Sequence, residues 1–433
     1  MSVVERVEGA LALGGVALDA MFAALRRVEP DAHACYVYDL DAVAARARRV
    51  HAAFAPLQAL VAYALKANAL GALLEVAREN GLGAEAGSLG ELEAARRAGF
   101  ERSARVLNGN GRTPEEAAWV AGEGVHSVNA DHVAELELLE REAARRDARV
   151  RVALRVNPGI ETPGHRYVAT GHGEAKFGVS PAEALAAWQG RRRWPHLQLD
   201  GIHLHVGSQL LDPAPLEEAA GVALALRDES ARRGAPLAFV NLGGGFGVDY
   251  ARRDRLGSSS DGGEFPLEDY AARLAARVQG LGLEWVIEPG RWLVATTGVL
   301  IAEVLWVKPR DGRRFVILGA GMNDLLRPAL YHARHAIVPV RPRPGALEPA
   351  TVVGPVCESA DVFDAAAPLP PLEPGDLVAI LDAGAYGAAM ASNYNGRGRL
   401  AELTLRDGRL TRVRASESPR DLAARDREER LEL

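Results

Sequence analysis

The chain has 433 residues, too many for one ordinary domain and enough for two. A net charge of -6, with 48% hydrophobic and 25% charged residues, argues for a globular enzyme and against a nucleic-acid binder. Two cysteines, Cys35 and Cys357, are too few for a disulfide framework and suit a reducing compartment. There is no uninterrupted apolar run of about 18 residues and no signal-peptide pattern at the N-terminus, so neither a membrane span nor export is expected and the cytoplasm is the expected location.

In chain order, residues 36–38 read as extended, either a strand of a β-domain or a lead-in to a barrel. From about residue 61 to 290, short apolar runs alternate with longer Ala/Leu/Glu/Arg-rich stretches of helical period. Strands are predicted at 61–67, 83–87, 105–110, 127–130, 150–158, 199–208, 239–245 and 284–290. Helices are predicted between them, for example at 89–98, 134–146, 216–233 and 267–281. About eight strand–helix units is the number that closes a (β/α)8 TIM barrel, an α/β fold. A doubly wound open sheet is the competitor, since one miscounted strand breaks the count. Arg191-Arg192-Arg193, before Trp194-Pro195, reads as a solvated loop, and 256–265 reads as another loop around Gly and Ser. After residue 290 the texture changes to strands at 299–307, 314–318, 350–356, 377–381, 400–405 and 410–414, with Gly and Pro between them, as in an all-β domain. The charged tail from Ser416 reads as a surface helix or a frayed end. The expected division is an N-terminal segment (1–42) contributing to the β-domain, a barrel (43–290) and a C-terminal β-domain (291–433).

Working residues in such a barrel lie at the carboxyl ends of the strands. These ends are polar here: Lys66 and Asn68, Asn108 and Asn110, Arg155 and Asn157, His203, His205 and Ser208, Gly243-Gly244-Gly245, and Glu288-Pro289-Gly290-Arg291. Lys66 closes the run Val61-Ala62-Tyr63-Ala64-Leu65. A lysine so placed either snorkels its head to water or is held partly neutral, and a neutral amine forms a Schiff base with an aldehyde. The glycine run offers successive N–H groups to an anion, and with Arg291 it occupies the usual phosphate site of a barrel, although tight turns also use glycine. Glu288 either pairs with Arg291 or Lys66, or keeps a pyridine nitrogen protonated, which turns the ring into an electron sink. His205 offers a ring face to a cofactor or is a satisfied core histidine. Together these residues describe a pyridoxal 5'-phosphate site. No metal cluster is expected. Beyond the barrel, Cys357 stands beside Glu358, Tyr386 lies between glycines, and Arg327 has the fork geometry that holds a carboxylate bidentately.

From about residue 36 to 410 the chain resembles the alanine-racemase-like, fold type III, pyridoxal-phosphate decarboxylases. The resemblance rests on Tyr63-Ala-Leu-Lys66-Ala-Asn68, Ala175-Lys176-Phe177-Gly178, His203-Leu-His205-Val-Gly-Ser208-Gln209, Gly243-Gly244-Gly245, Glu288 to Arg291, Arg327-Pro-Ala-Leu-Tyr331, Cys357-Glu358-Ser359, Tyr386 and Ser392-Asn-Tyr-Asn395. It implies that Lys66 carries the cofactor, His205 stacks on its ring, Ser208 and Gly243 to Gly245 bind its phosphate, and Glu288 pairs with its nitrogen. Pro289 and Gly290 belong to the same cofactor motif. Arg291 and Tyr386 would touch cofactor and substrate; Arg327, Tyr331 and Glu358 would bind substrate; Cys357 would protonate the carbanion. In the family Cys357 and Glu358 serve the neighbouring subunit's site, so a homodimer is implied. Glu rather than Asp after Cys357, with Arg327 for a second carboxylate, is similar to the branch that converts meso-2,6-diaminopimelate to L-lysine and carbon dioxide, the last step of lysine biosynthesis. The alternatives are another amino acid of the ornithine, lysine or arginine kind, a carrier-bound glutamate, a racemase, or a non-catalytic regulator. The chain departs from the family at Glu85, where Asp is usual, and at Gly396-Arg397-Gly398-Arg399-Leu400.

Overall fold

The computed structural model describes residues 4–160, 176–250 and 264–426. Ala175, most of the expected 256–265 loop and residues 427–433 lie outside the described residues. The chain divides into two compact units: residues 43–248 with 263–293, and residues 1–42, 249–262 and 294–433.

The first unit is a closed barrel of eight parallel strands in sequence order. They are β1 (Leu60–Ala64), β2 (Gly83–Ala86), β3 (Arg105–Leu107), β4 (Ser127–Ala130), β5 (Val150–Arg155), β6 (Leu197–His203), β7 (Phe239–Asn241) and β8 (Glu284–Ile287). Closure is direct: Val286 and Ile287 of β8 register against Leu60 and Val61 of β1. Each expected segment contains a strand, but most strands are shorter than expected. The first stops at Ala64, and Lys66 lies in the 3-10 turn Leu65–Ala67. The polar residues beyond each strand curl over the rim, where their side chains have room that a buried ladder does not give. Helix starts are locally encoded. Pro114–Glu123 and Pro181–Gln189 each open with proline in the first turn and a complete capping box, Thr113 with Glu116 and Ser180 with Glu183.

The barrel interior sets the site. Ala62, Val106, Ala153 and Phe239, one from each odd strand, pack in one cluster with Val286, the layered filling of such barrels. Gly201 on β6 makes room for the Phe239 ring: a Cβ there would stand 2.2 Å from two ring atoms. Because side chains along a strand repeat every second residue, the next inward positions above this layer are Asn108, Arg155, Asn241, Glu288 and, after Gly201, His203. An apolar floor thus carries a polar layer.

The second unit is mainly antiparallel. Its nine-stranded sheet runs Val362–Leu369, Glu348–Val353, Arg313–Leu318, Gly298–Arg310, Ala34–Asp39, Ala401–Arg406, Arg409–Arg414, with Leu377–Ile380 paired to Gly298–Arg310 and Ile337–Pro339 paired to Leu377–Ile380. Tyr36 to Tyr38 therefore lie in a central strand of this sheet. Two strands, Ile337–Pro339 and Val362–Leu369, were not expected. Near the N-terminus a small sheet and the helix Leu18–Arg26 pack Leu11, Leu13, Met21, Phe22 and Leu25 against Val37, Val299, Ile301 and Leu403. Cys35 is buried in that cluster, as a small hydrophobe. The tail forms a short exposed helix, Pro419–Ala423. Among the described residues no helix is long and apolar enough to cross a membrane.

The fit of Gly201 against Phe239 is testable. Gly201→Ala overpacks the barrel floor and costs about 1–3 kcal/mol, read as a lower thermal midpoint. Adding Phe239→Leu recovers part of the loss, whereas strictly additive losses would contradict the packing described.

Candidate active site

Glu288 follows β8, is buried, and meets three asparagine amides. Asn241 Nδ2 donates to Oε1 at 2.7 Å, Asn129 Nδ2 to the same oxygen at 3.3 Å, and Asn108 Nδ2 to Oε2 at 3.0 Å. The orientation of Asn241 is fixed by chemistry: the Gly243 N–H can only donate, and it donates to Asn241 Oδ1 at 2.8 Å, which turns the amide N–H groups toward Glu288. Asn108 Nδ2 also donates to Glu85 Oε1 at 2.8 Å, so one amide bridges two carboxylates. Glu85 in turn holds Lys66 Nζ at 3.1 Å from Oε2.

These contacts set the electrostatics. Burial first, then the charge of Glu85, raises Glu288 from 4.5 to about 7; Lys66 and the amides of Asn241 and Asn108 pull the other way. His203 and His205 are both held well below the usual imidazole range, chiefly by burial and then by the charges of Arg155 and Lys66. His203 Nε2 lies 3.8 Å from Glu288, but a neutral imidazole makes this a contact and not an ion pair. His205 Nδ1 accepts from the Gly244 N–H at 3.3 Å. Arg155 reaches Asp131 at 3.4 Å and keeps its charge in the same mouth.

The glycine run differs from the expected nest of three N–H groups. Those of Gly243 and Gly244 are engaged by Asn241 and His205. Glycine is needed here for close approach: a Cβ on Gly244 would lie 2.0 Å from the Glu288 carbonyl oxygen, and one on Gly245 2.4 Å from that of Gly207. Beside the run, Arg291 Nη2 donates to Ser208 Oγ at 3.0 Å, and Arg291 is buried. Pro289 accepts from the Ala64 N–H at 2.9 Å, and Gly290 lies against Ala64 and Ala67, which anchors the turn that carries Lys66. Of the two expected environments for Lys66 the structure shows the solvent-reaching one: its side chain is 47% exposed, whereas its partner Glu85 is almost fully buried. Both carboxylate oxygens of Glu288 are taken by asparagine amides, where a partner at Arg291 or Lys66 was the simpler expectation.

In the second unit, Arg327 opens the helix Arg327–Tyr331 and is buried; Tyr331 is half-buried. Cys357 and Glu358 are exposed, in a turn past the strand Glu348–Val353 and not at its end. That turn is pinned by buried Asp361, which accepts from the N–H groups of Val356 at 2.7 Å and Met322 at 2.6 Å. The Cys357 N–H donates to Asn395 Oδ1 at 2.8 Å. Tyr386 is half-buried with φ of 57°, a left-handed conformation uncommon for a bulky residue and frequent at functional sites. The structure thus gathers Lys66, His205, Ser208, Gly243 to Gly245 and Glu288 to Arg291 in the barrel, and Arg327, Tyr331, Cys357, Glu358 and Tyr386 in the β-unit. Asn129 and Asn241 belong to none of the motifs of the sequence. The signal was there: a lone amide two residues past a floor residue, as in Phe239-Val240-Asn241, or inside a buried strand, as in Ser127-Val128-Asn129.

Residues 40–295 match the pyridoxal binding domain of pyridoxal-dependent decarboxylases. The chain is 39% identical over 388 residues to a diaminopimelate decarboxylase of Helicobacter pylori, covering 89% of this chain and 94% of that protein. It is 38% identical over 390 residues to one of Pseudomonas aeruginosa, covering 90% and 91%. A solved diaminopimelate decarboxylase of M. jannaschii, in co-complex with L-lysine, superposes with a TM-score of 0.89 at 31% identity over 99% of this chain and 98% of that one. Sequence and fold agree, and the chain belongs to the diaminopimelate decarboxylase family of pyridoxal-dependent decarboxylases.

Proposed function

We propose that the protein decarboxylates meso-2,6-diaminopimelate to L-lysine, with pyridoxal phosphate held by Lys66, as the last step of lysine biosynthesis. The observation that carries the chemistry is Glu288: a buried acid poised near neutrality is one that a protonated ring nitrogen would ionise fully. The residue set fits the cofactor in its other parts too, with a half-exposed amine at Lys66 and the Ser208–Arg291 pair beside a close-packed glycine loop. The likeness to diaminopimelate decarboxylases over nearly their whole length supports the substrate.

When bound, the cofactor supplies an electron sink for the pair left behind as carbon dioxide departs. Lys66 is the covalent attachment point for its aldehyde. Glu85, 3.1 Å from Lys66 Nζ, holds or returns the proton of that amine. Glu288 keeps its negative charge against the ring nitrogen, and its three amide donors hold the carboxylate in place. His205 would stack on the ring as a neutral imidazole; Ser208 and Arg291 would hold the phosphate, the side-chain-free loop of Gly243, Gly244 and Gly245 would leave room for it, and Pro289 and Gly290 would complete the cofactor contacts. By the family resemblance, Arg291 and Tyr386 are the residues that would contact both cofactor and substrate. Arg327, Tyr331 and Glu358 hold the distal amino-acid end, the arginine its carboxylate and the glutamate its ammonium. Cys357 delivers a proton from Sγ to the carbon that has lost carbon dioxide. Cys357 and Glu358 complete the site of a second copy, so the working form is a homodimer. A cytoplasmic location fits an enzyme whose exposed Cys357 must stay a thiol.

Three outcomes test this reading. Borohydride treatment of the loaded protein fixes the cofactor to Lys66, and Lys66→Ala loses both the label and turnover. Labelling of another lysine, or substantial activity in the variant, would contradict the assignment. Glu358→Asp raises the KM for diaminopimelate by about 10-fold or more and leaves cofactor affinity nearly unchanged; equal losses in both would make Glu358 structural. The third concerns pH. Glu288 keeps its proton to about 7 in the folded chain against 4.5 ordinarily, so its contribution to the stability of the cofactor-free protein is complete below pH 4.5 and is lost as pH rises through 7. The effect is on the order of 3 kcal/mol. Glu288→Gln therefore flattens the fall in thermal midpoint between those values; equal slopes in the two proteins would contradict it.

A further inference from the structure

Arg327 sits in a clamp made by residues from two other segments of its own unit. The helix that carries it is five residues long and ends at His332, whose φ of 51° reverses the chain. The reversal brings His335 back so that its Nε2 meets Arg327 Nη1 at 2.7 Å. His335 Nδ1 meets the Leu381 carbonyl oxygen at 2.8 Å. The backbone around His335 is itself fixed, because the Leu381 N–H donates to Ala336 O at 2.9 Å and Ile337–Pro339 pairs with Leu377–Ile380. Tyr250 closes a second side: the guanidinium lies 4.2 Å from its ring centroid, and the ring meets His335 edge-on at 5.1 Å. All three side chains are buried.

The hydrogen-bond chemistry allows one arrangement. A carbonyl oxygen only accepts, so His335 Nδ1 carries the proton; a guanidinium only donates, so Nε2 accepts. His335 is thus a neutral imidazole that takes one Nη1 N–H of Arg327, while Tyr250 covers the guanidinium plane. Bidentate capture of a carboxylate depends on the direction of that plane, and a long side chain left unclamped loses the alignment. We propose that His335 is a positioning residue that sets specificity: by locking the Arg327 guanidinium it selects substrates with a carboxylate at the distal end. This rests on the proposed role of Arg327.

The test uses the loaded protein with three ligands: diaminopimelate as substrate, L-lysine, which keeps the distal carboxylate, and 1,5-diaminopentane, which has none, both as competitive inhibitors. His335→Asn keeps an N–H for Leu381 but does not reach Arg327; His335→Gln reaches it with an acceptor oxygen. His335→Asn raises the KM for diaminopimelate and the Ki for L-lysine by about 10- to 100-fold, with kcat and the Ki for 1,5-diaminopentane little changed, and His335→Gln restores most of the loss. Equal weakening of lysine and diaminopentane, or no rescue by Gln, would overturn the proposal. Arg327→Met separates the two readings. If it leaves L-lysine inhibition intact, the assignment of Arg327 itself fails; if it weakens lysine while His335→Asn does not, only the role of His335 fails. Should His335→Asn not fold, Tyr250→Leu probes the same clamp and must show the same selectivity for carboxylate ligands.

Discussion

The barrel mouth depends on one shared amide. Asn108 Nδ2 donates to both Glu85 and Glu288, and so holds two buried carboxylates together. Two like charges so close raise the proton affinity of one, and here the cost falls on Glu288, which is the more isolated from cations; Lys66 sits against Glu85. The arrangement leaves Glu288 with a raised proton affinity that the proposed pairing with a cationic ring would relieve. It also explains the asparagines: a neutral donor stabilises a carboxylate without neutralising it, so the acid stays responsive to what binds. A lysine or arginine in place of Asn241 would fix Glu288 as an anion and remove the response.

Much of this was legible in the amino-acid order alone. The alternation of short apolar runs with helical stretches marked eight strands, and the strand positions held because their periodicity reflects burial on both faces of a closed sheet. The rim did not follow from periodicity. Lys66 reads as the end of a buried strand because Val61 to Leu65 are apolar, yet the chain turns at Leu65 and the lysine head meets solvent. What decides this is a long-range contact, Ala64 to Pro289, between segments more than 200 residues apart. The glycine run shows the same limit. Its composition suggested N–H groups for an anion, but its packing against Glu288 and Gly207 shows that absent side chains, more than free donors, are what the position demands.

The β-unit was harder to read because the residues expected at its site lie outside its strands, Arg327 and Tyr331 on a five-residue helix and Cys357, Glu358 and Tyr386 in connecting segments. Gly354 is required because a Cβ there would meet Asp361 at 2.4 Å, and Asp361 is what shapes the turn bearing Cys357 and Glu358. Ile337–Pro339 is too short to announce itself as a strand, yet it anchors the residue that grips Arg327. The resemblance singles out Arg327, Tyr331, Cys357, Glu358 and Tyr386 by motif; Asn129, Asn241 and His335 touch those or other polar residues and carry no motif of their own.

The most direct test of the account is the ionisation of Glu288 itself. Infrared difference spectra of carbon-13 glutamate-labelled protein near pH 6.5, with Glu288→Gln subtracted to isolate its band, report whether that carboxyl carries a proton. A buried Glu288 that holds its proton gives a protonated carboxyl band in the cofactor-free protein, and the band disappears when pyridoxal phosphate is added. A carboxylate band in both states, or a protonated band that survives loading, would contradict it.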